Sequence, residues 1–229
     1  MIFLCFASSL SIAVETTLEA GIRALHRGHY ATALRAWKPL AEEGDPFAQN
    51  NVGHMYEEGL GVAQNYSEAM AWYKKAAESN LPQAEYNTGL LYYHGYGVAQ
   101  NFREALQWFK RAARSELVDA EYMMGLVYHQ GKGVMLDFKK ALQWFQKSAK
   151  QNHPESQFMY AFMLQAGEGI PPDPFRAYSW ALLAELNGQQ EADSIYNLSA
   201  LALEKEEVMR ARQSAQDCHQ QGLSTCGLD

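Results

Sequence analysis

Apolar and small residues recur along the chain at two helical spacings that alternate with each other. In one copy of the first pattern they lie at i, i+4, i+7, i+8 and i+11, and they are Ala84, Thr88, Leu91, Tyr92 and Gly95. In the neighbouring copy of the second pattern they lie at i, i+3, i+4 and i+7, and they are Ala105, Trp108, Phe109 and Ala112. Both spacings place the apolar side chains on one face of an α-helix. The pattern therefore predicts two amphipathic helices in alternation.

The pair of helical patterns repeats every 36 residues without an insertion. The positions that keep one residue type are Ala48, Ala84 and Ala120; Gly53, Gly89 and Gly125; Tyr56, Tyr92 and Tyr128; Ala69, Ala105, Ala141 and Ala177; and Trp72, Trp108, Trp144 and Trp180. A fourth copy has Ser156, Ala161 and Leu164 at three of these positions. Each helical pair would leave an apolar face that only the next pair can cover. The repeat therefore predicts an all-α solenoid of antiparallel helical hairpins.

A Gly-x-Gly loop and a polar residue separate the two helices of each copy. The glycine pairs are Gly59/Gly61, Gly95/Gly97, Gly131/Gly133 and Gly167/Gly169. Glycine suits a loop that needs positive φ after a helix end. The polar residues, Asn65, Asn101, Asp137 and Asp173, are predicted N-caps of the second helices. Glu68 and Glu104 follow the two Asn caps by three residues, which predicts a capping box at each.

The segments that flank the repeats are also predicted to be helical. Residues 14–47 are assigned to an irregular first hairpin with helices at 18–26 and 30–41, in which Ala33 and Trp37 face inward. The four repeats occupy residues 48–191. Two further helices, at 189–199 and 204–220, have more polar surfaces, and residues 192–229 are assigned to a C-terminal cap and tail.

The repeated unit resembles the Sel-one-like repeat, a relative of the tetratricopeptide repeat. The resemblance is clearest in residues 84–113 and 120–149, where helix, loop and cap residues match in register. It implies a right-handed superhelix whose first helices line a concave surface. It also implies a non-catalytic adaptor that binds proteins, and exported bacterial members often act on envelope enzymes, secretion or signalling receptors.

Charge and motifs argue against several functions. The chain carries 19 Lys and Arg against 26 Asp and Glu, a formal net charge of −7, without a basic run, so we expect no nucleic-acid partner. Hydrolase and metalloprotease motifs are absent from the sequence, and the glycine pairs lack the Lys-Ser/Thr of a phosphate loop. The seven histidines do not recur in register. We therefore expect no catalysis, no cofactor and no metal.

The N-terminal segment predicts export. Residues 1–13 carry no charged side chain, are mostly apolar and end in Ser11-Ile12-Ala13, with small residues where a signal peptidase reads. A signal peptide usually has a basic residue before its apolar run, and this segment has none. Either the true start lies upstream, or the segment is a hydrophobic N-terminal cap. The segment is too short to span a bilayer as a helix. We expect a periplasmic or secreted bacterial protein with no stable membrane span after signal removal.

Removing that segment would leave two cysteines, Cys218 and Cys226. In an exported chain they are candidate disulfide partners, and two reduced thiols are the alternative. Cysteine-rich relatives of the resembled family, which are linked to binding or hydrolysing β-lactams, carry a cysteine pair in each repeat. This chain has none within its repeats, which disfavours that branch.

First-helix side chains that packing does not use form a second stripe. Its candidate binding residues are Asn51, His54, Tyr86, Asn87, Leu90, Tyr93, His94, Tyr122, Leu126, His129, Phe158 and Phe162. Aromatic and apolar residues on such a face predict a groove for an extended peptide or a partner helix. Asn51 and Asn87 match the Asn that holds a ligand backbone in tetratricopeptide-type grooves. The alternatives are that adjacent repeats cover part of the stripe, or that the protein binds peptidoglycan fragments or a β-lactam.

Overall fold

In the computed structural model, residues 17–223 and residue 228 are described, and they belong to two compact units that divide between Ser115 and Glu116. The helices of the first unit are α1 (residues 17–26), α2 (Tyr30–Glu42), α3 (Pro46–Glu58), α4 (Tyr66–Glu78), α5 (Pro82–His94) and α6 (Phe102–Arg114). The helices of the second unit are α7 (Val118–Gln130), α8 (Phe138–Ala149), α9 (Pro154–Ala166), α10 (Pro174–Leu186), a 3-10 turn (Gln190–Ala192), α11 (Asp193–Ala200) and α12 (Lys205–Gln221).

Each unit is built from consecutive helical hairpins. In the first unit α3 packs on α4 and α5 on α6, and α2 and α4 contact the first helix of the following hairpin. In the second unit α7 packs on α8, α8 on α9, and α9 on α10, which also contacts α11 and α12. Every regular element of the described residues is helical. The predicted all-α fold of stacked hairpins is confirmed.

Within a hairpin, a small residue on the first helix faces a large ring on the second. A Cβ atom added at Gly89 would lie 2.6 Å from the ring of Phe109, and one at Gly53 would lie 2.7 Å from the ring of Tyr73. Such distances are too short for any side chain, so glycine sets how closely the two helices approach. The fourth copy has Ala161 in place of this glycine and Ala181 in place of the ring, and both are buried in one cluster.

The predicted N-caps are confirmed. Asn101 Oδ1 accepts hydrogen bonds from the backbone N–H groups of Arg103 and Glu104, both at 3.1 Å, and Asn65 caps α4 in the same way. Asp137 and Asp173 each accept one such bond, from Lys140 and Arg176.

The predicted capping boxes are wrong, because only the first of their two hydrogen bonds forms, the one that the cap side chain accepts. A capping box needs the cap residue's own N–H to bond to the Glu side chain. The N–H of Asn65 instead donates to the carbonyl of Tyr56 at 2.8 Å, and that of Asn101 donates to the carbonyl of Tyr92 at 2.9 Å. This bond closes the Gly-x-Gly loop onto the helix that precedes it, so the cap residue holds both helices of its hairpin.

The second glycine of the loop joins neighbouring hairpins. Gly97 has φ of 67°, and a Cβ atom there would lie 2.5 Å from the carbonyl carbon of Tyr66 at the start of the preceding second helix. The Ser67 hydroxyl donates to the Gly97 carbonyl at 3.2 Å. The loop therefore needs glycine for both its backbone conformation and its close contact.

The flanking hairpins match the predicted helices closely. Ala33 and Trp37 are buried as expected, and the Trp37 indole N–H donates to the Leu18 carbonyl at 3.0 Å. At the C-terminal end, Cys218 is buried and disulfide-bonded. Cys226 lies outside the described residues, so its pairing with Cys218 stays a prediction. The predicted signal segment, residues 1–13, also lies outside them, and none of the described helices is long and apolar enough to cross a membrane.

Candidate partner-binding surface

In the first unit, α3 presents one exposed stripe along its whole length. Phe47, Asn51, His54 and Glu58 lie at i, i+4, i+7 and i+11, which places them on one helix face. Phe47 is 54% exposed, His54 and Glu58 are exposed, and Asn51 is half-buried. The structure therefore leaves predicted residues Asn51 and His54 accessible and adds Phe47 to the same face.

A cavity of about 330 Å³ adjoins the N-terminal half of this stripe. Its lining includes Leu18, Ile22 and Leu25 from α1 together with Phe47 and Asn51 from α3. Sequence reasoning missed this cavity because it assigned α1 to the N-terminal hairpin and looked for the groove only within the repeats.

On α5 the predicted residues are only partly available. Tyr86 is half-buried, with its ring centroid 6.0 Å from that of Phe109, and Leu90 is half-buried. Asn87 donates through its side-chain N–H to Asn50 Oδ1 at 3.1 Å, so its amide already joins α5 to α3. His94 is exposed.

The prediction that Tyr93 lies in an open groove is wrong. Tyr93 is buried, and its ring centroid lies 5.2 Å from that of Phe102 and 6.2 Å from that of Phe109. Two rings of the second helix therefore cover most of Tyr93 and leave little of its surface for a ligand.

Carboxylates cluster at the C-terminal end of α3. Glu57 accepts a hydrogen bond of 2.5 Å from the Tyr73 hydroxyl. Burial, and then the charge of Glu57, hold the pKa of Tyr73 well above its usual range, so the hydroxyl stays a donor. One donor atom each from His54, Glu57 and Glu58 lies within 4.8 Å of the others, so these residues could hold a metal ion, although exposed carboxylates commonly group without one.

In the second unit, the predicted residues of α7 pack against their own hairpin. Tyr122 is half-buried, with its ring centroid 5.8 Å from that of Phe145, and Leu126 is half-buried as well. His129 Nε2 lies 2.7 Å from a carboxylate oxygen of Glu168 in the loop of the following hairpin. His129 is therefore a structural link between hairpins, and its ring is only partly accessible.

An apolar cavity of about 300 Å³ lies between α9 and α11. Phe162, a predicted site residue, lines it and is 38% exposed, whereas Phe158 is half-buried and does not line it. On the α11 side it is lined by Ser194, Ile195 and Leu198, which sequence reasoning missed. Extending the 36-residue period by one copy would have found them, because Leu198 lies 36 residues after Phe162.

Two buried carboxylates lie in the first turns of first helices, and each is paired with a cation. Glu85 pairs with Arg111 at 2.8 Å and Glu121 pairs with Lys147 at 2.7 Å. Burial raises the pKa of Glu85, and Arg111 opposes this only in part. Arg111 also donates to the Ala77 carbonyl at 3.0 Å, at the end of α4.

The same position is a glutamine in the first and fourth copies, and there it bonds to a helix end directly. Gln49 donates to the Ala41 carbonyl at 3.1 Å, and Gln157 donates to the Ala149 carbonyl at 3.2 Å. Gln and the Glu–Arg pair therefore satisfy the same kind of helix C-terminal carbonyl. This is a structural role.

Comparisons with known proteins agree with this architecture. The family model described as Sel1 repeat matches residues 46–81, 82–116, 118–153 and 154–189. No curated protein matches the sequence.

Solved structures with the same repeat are similar to the chain. A Sel1 repeat protein from Oxalobacter formigenes is 28% identical over 87% of this chain and 84% of that chain, with a TM-score of 0.74. The c5321 protein, a protective antigen present in uropathogenic Escherichia coli strains that displays an SLR fold, is 25% identical with a TM-score of 0.72. That match covers 94% of this chain and 56% of the c5321 chain.

Proposed function

Because the chain belongs to the Sel1 repeat family, whose repeats generally form protein-interaction scaffolds, we propose that it binds a partner protein or peptide through its first helices and catalyses no reaction. The first helices are α3, α5, α7 and α9, together with α11, which continues their period.

One observation carries this proposal: each unit keeps an apolar cavity beside its first helices. The cavities of about 330 and 300 Å³ are lined by exposed apolar side chains, Phe47 in the first unit and Phe162 and Leu198 in the second. Cavities of this size suit single apolar anchors, and a few such anchors supply most of the affinity of a protein interface. Half-buried polar residues such as Asn51 would then fix the register of the bound segment.

We also propose that the protein meets its partner outside the bacterial cytoplasm. The apolar segment of residues 1–13 supports export, and the disulfide at Cys218 suits an oxidising compartment. Cell fractionation and the intact mass of the mature protein test this, since retention in the cytoplasm with residue 1 in place would contradict it.

Affinity capture with matched variants tests the binding surface. The wild-type chain, a Phe162→Asp/Leu198→Asp variant and a Phe47→Asp variant are immobilised, and captured proteins are identified by mass spectrometry. Leu201→Asp is the control, because Leu201 is 84% exposed and does not line either cavity. Circular dichroism verifies that all variants are helical.

We expect a specific protein to be captured by the wild type and by Leu201→Asp and to be lost by at least one cavity variant. Capture of the same set by all four chains would contradict binding at the cavities. Binding of a peptidoglycan fragment with no captured protein would contradict the scaffold function itself.

A further inference from the structure

The exposed stripe of α3 changes its chemistry from one end to the other. Phe47 and the cavity lie at its N-terminal end, Asn51 and His54 follow, and Glu58 ends it. The next first helix of the same unit has Gln83, Asn87, Leu90 and His94 at the equivalent positions, without a carboxylate. Within the first unit, this gradient from apolar to acidic therefore belongs to α3.

The apolar end can take a single large side chain. The cavity at this end has a volume of about 330 Å³, near the lower limit of ligand cavities in proteins, which run from roughly 300 to 1,000 Å³. Ile22 and Phe47 are both exposed at its rim, so apolar surface would be removed from water when the cavity fills.

The acidic end carries two carboxylates, beside the imidazole of His54, that lack a Lys or Arg partner among the described residues. Neither Glu57 nor Glu58 forms an ion pair with a described Lys or Arg, and the last turn of α3 has no basic residue. The C-terminal end of a helix adds partial negative charge at the same place. The Tyr73 hydroxyl meanwhile holds the Glu57 carboxylate in a fixed position. This end of the stripe therefore favours a cation.

The distance between the two ends of the stripe sets how far apart two contacting residues of a bound peptide must be. Phe47 and Glu58 are eleven residues apart on one helix, which corresponds to about 16 Å at 1.5 Å per residue. An extended peptide covers that distance in about five residues. Asn51 lies between the two ends, and its side chain forms no hydrogen bond with another described residue. Its amide can therefore bond to the backbone of a peptide.

We propose that α3 binds an extended peptide segment in which a large apolar residue and a Lys or Arg stand about five residues apart. The apolar side chain fills the cavity beside Phe47, the Asn51 amide holds the peptide backbone, and the basic side chain pairs with Glu58 and Glu57. This inference rests on the proposed scaffold function and names the chemistry of the partner for the first unit.

A charge-reversal experiment tests it. A display library of random twelve-residue peptides is selected on the full-length wild-type chain, on Glu58→Lys and on Glu78→Lys. Glu78 is the matched control, because it is exposed and ends α4 just as Glu58 ends α3. A Lys at either place suits a helix C-terminus, so neither variant should lose stability.

We expect the wild type and Glu78→Lys to select peptides with an apolar and a basic residue about five positions apart. Glu58→Lys should select against the basic residue. A synthetic peptide chosen on the wild type should bind Glu58→Lys roughly three- to tenfold more weakly at low salt, with a smaller difference at high salt. Phe47→Ser changes no charge, so it should weaken the same peptide by a similar factor at low and at high salt.

Other outcomes would overturn the inference. Selected peptides without a basic residue, or equal binding to wild type and Glu58→Lys, would reject the acidic contact but leave the scaffold function standing. Failure to select any peptide would also reject peptide binding at α3. The scaffold function is tested separately, by whether a captured protein is lost from the Phe162→Asp/Leu198→Asp variant. A dimer in sedimentation that Phe47→Asp dissociates would show that a second copy of the chain occupies this surface.

Discussion

The guanidinium of Arg111 lies 2.8 Å from the carboxylate of Glu85, whose side chain is only 3% exposed, and it also donates to the Ala77 carbonyl. The arrangement links α5 and α6 with the end of α4. Desolvation of Glu85 works against the ion pair, because a buried carboxylate loses its hydration whether or not it finds a partner. The ion pair therefore satisfies the Ala77 carbonyl at a cost in desolvation free energy. In other copies the side-chain amides of Gln49 and Gln157 satisfy the equivalent carbonyls without a buried charge.

Glu85→Gln is expected to stabilise the protein at neutral pH. The pKa of Glu85 is raised in the folded state, so its favourable contribution is present at low pH and is lost as pH rises through the folded pKa. A glutamine side chain does not ionise, so this loss of stability disappears, and its amide N–H can donate to the Ala77 carbonyl directly. We expect the free energy of unfolding to increase by about 1 kcal/mol at pH 8, and by less near pH 4. Urea unfolding at both pH values measures this, and equal destabilisation at both would contradict it.

Arg111→Met is expected to have the opposite effect. It leaves the Glu85 carboxylate buried without its partner, which costs about 3 kcal/mol for a buried pair. The loss should appear at pH 8 and shrink near pH 4, since a protonated Glu85 needs no counter-charge. Lys110→Met, an exposed change on the same helix, is the control for urea unfolding. If both variants lose the same stability, the ion pair does not carry the effect.

Two substitutions at Asn101 are expected to show whether its side-chain oxygen stabilises the start of α6 by accepting hydrogen bonds. Asn101→Ala removes an acceptor for two backbone N–H groups, and it should lower the free energy of unfolding by about 1 kcal/mol. Asn101→Asp should be nearly neutral, because aspartate already caps α8 and α10. Thermal unfolding followed by circular dichroism measures both. A similar loss in both variants would show that the side-chain NH2 group of Asn101, and not its side-chain oxygen, stabilises the hairpin.

The sequence predicts the repeat architecture well, because the same packing problem recurs in each copy. Ala48, Ala84 and Ala120 are all fully buried, so their identity reports directly on a contact that each hairpin must make. Helix starts are equally predictable, since residues such as Asn65 and Asp173 accept hydrogen bonds from backbone N–H groups that the first turn leaves unpaired.

The binding surface is less predictable, because periodicity does not tell which side chain a neighbouring ring covers. Tyr93 and Tyr86 share one predicted stripe, yet Phe102 and Phe109 bury the first, while the second stays half-exposed. The cavities also depend on elements outside the four copies. Leu198 on α11 can still be found by extending the 36-residue period, but Ile22 lies on α1, where the repeat is weak, so its contribution becomes visible only in three dimensions.

The pairing of a small residue with a ring is expected to show strong coupling at Gly89 and Phe109. Gly89→Ala alone places a methyl group 2.6 Å from the ring, and it should cost about 2 kcal/mol through overpacking. Phe109→Ala alone leaves a cavity and should cost about 3–4 kcal/mol. The double variant reproduces the Ala161 and Ala181 combination of the fourth copy, so its loss should be smaller than the two single losses together by at least about 1 kcal/mol. A double-mutant cycle in urea measures the coupling. Additive losses would show that glycine serves the backbone at this position, independently of the ring.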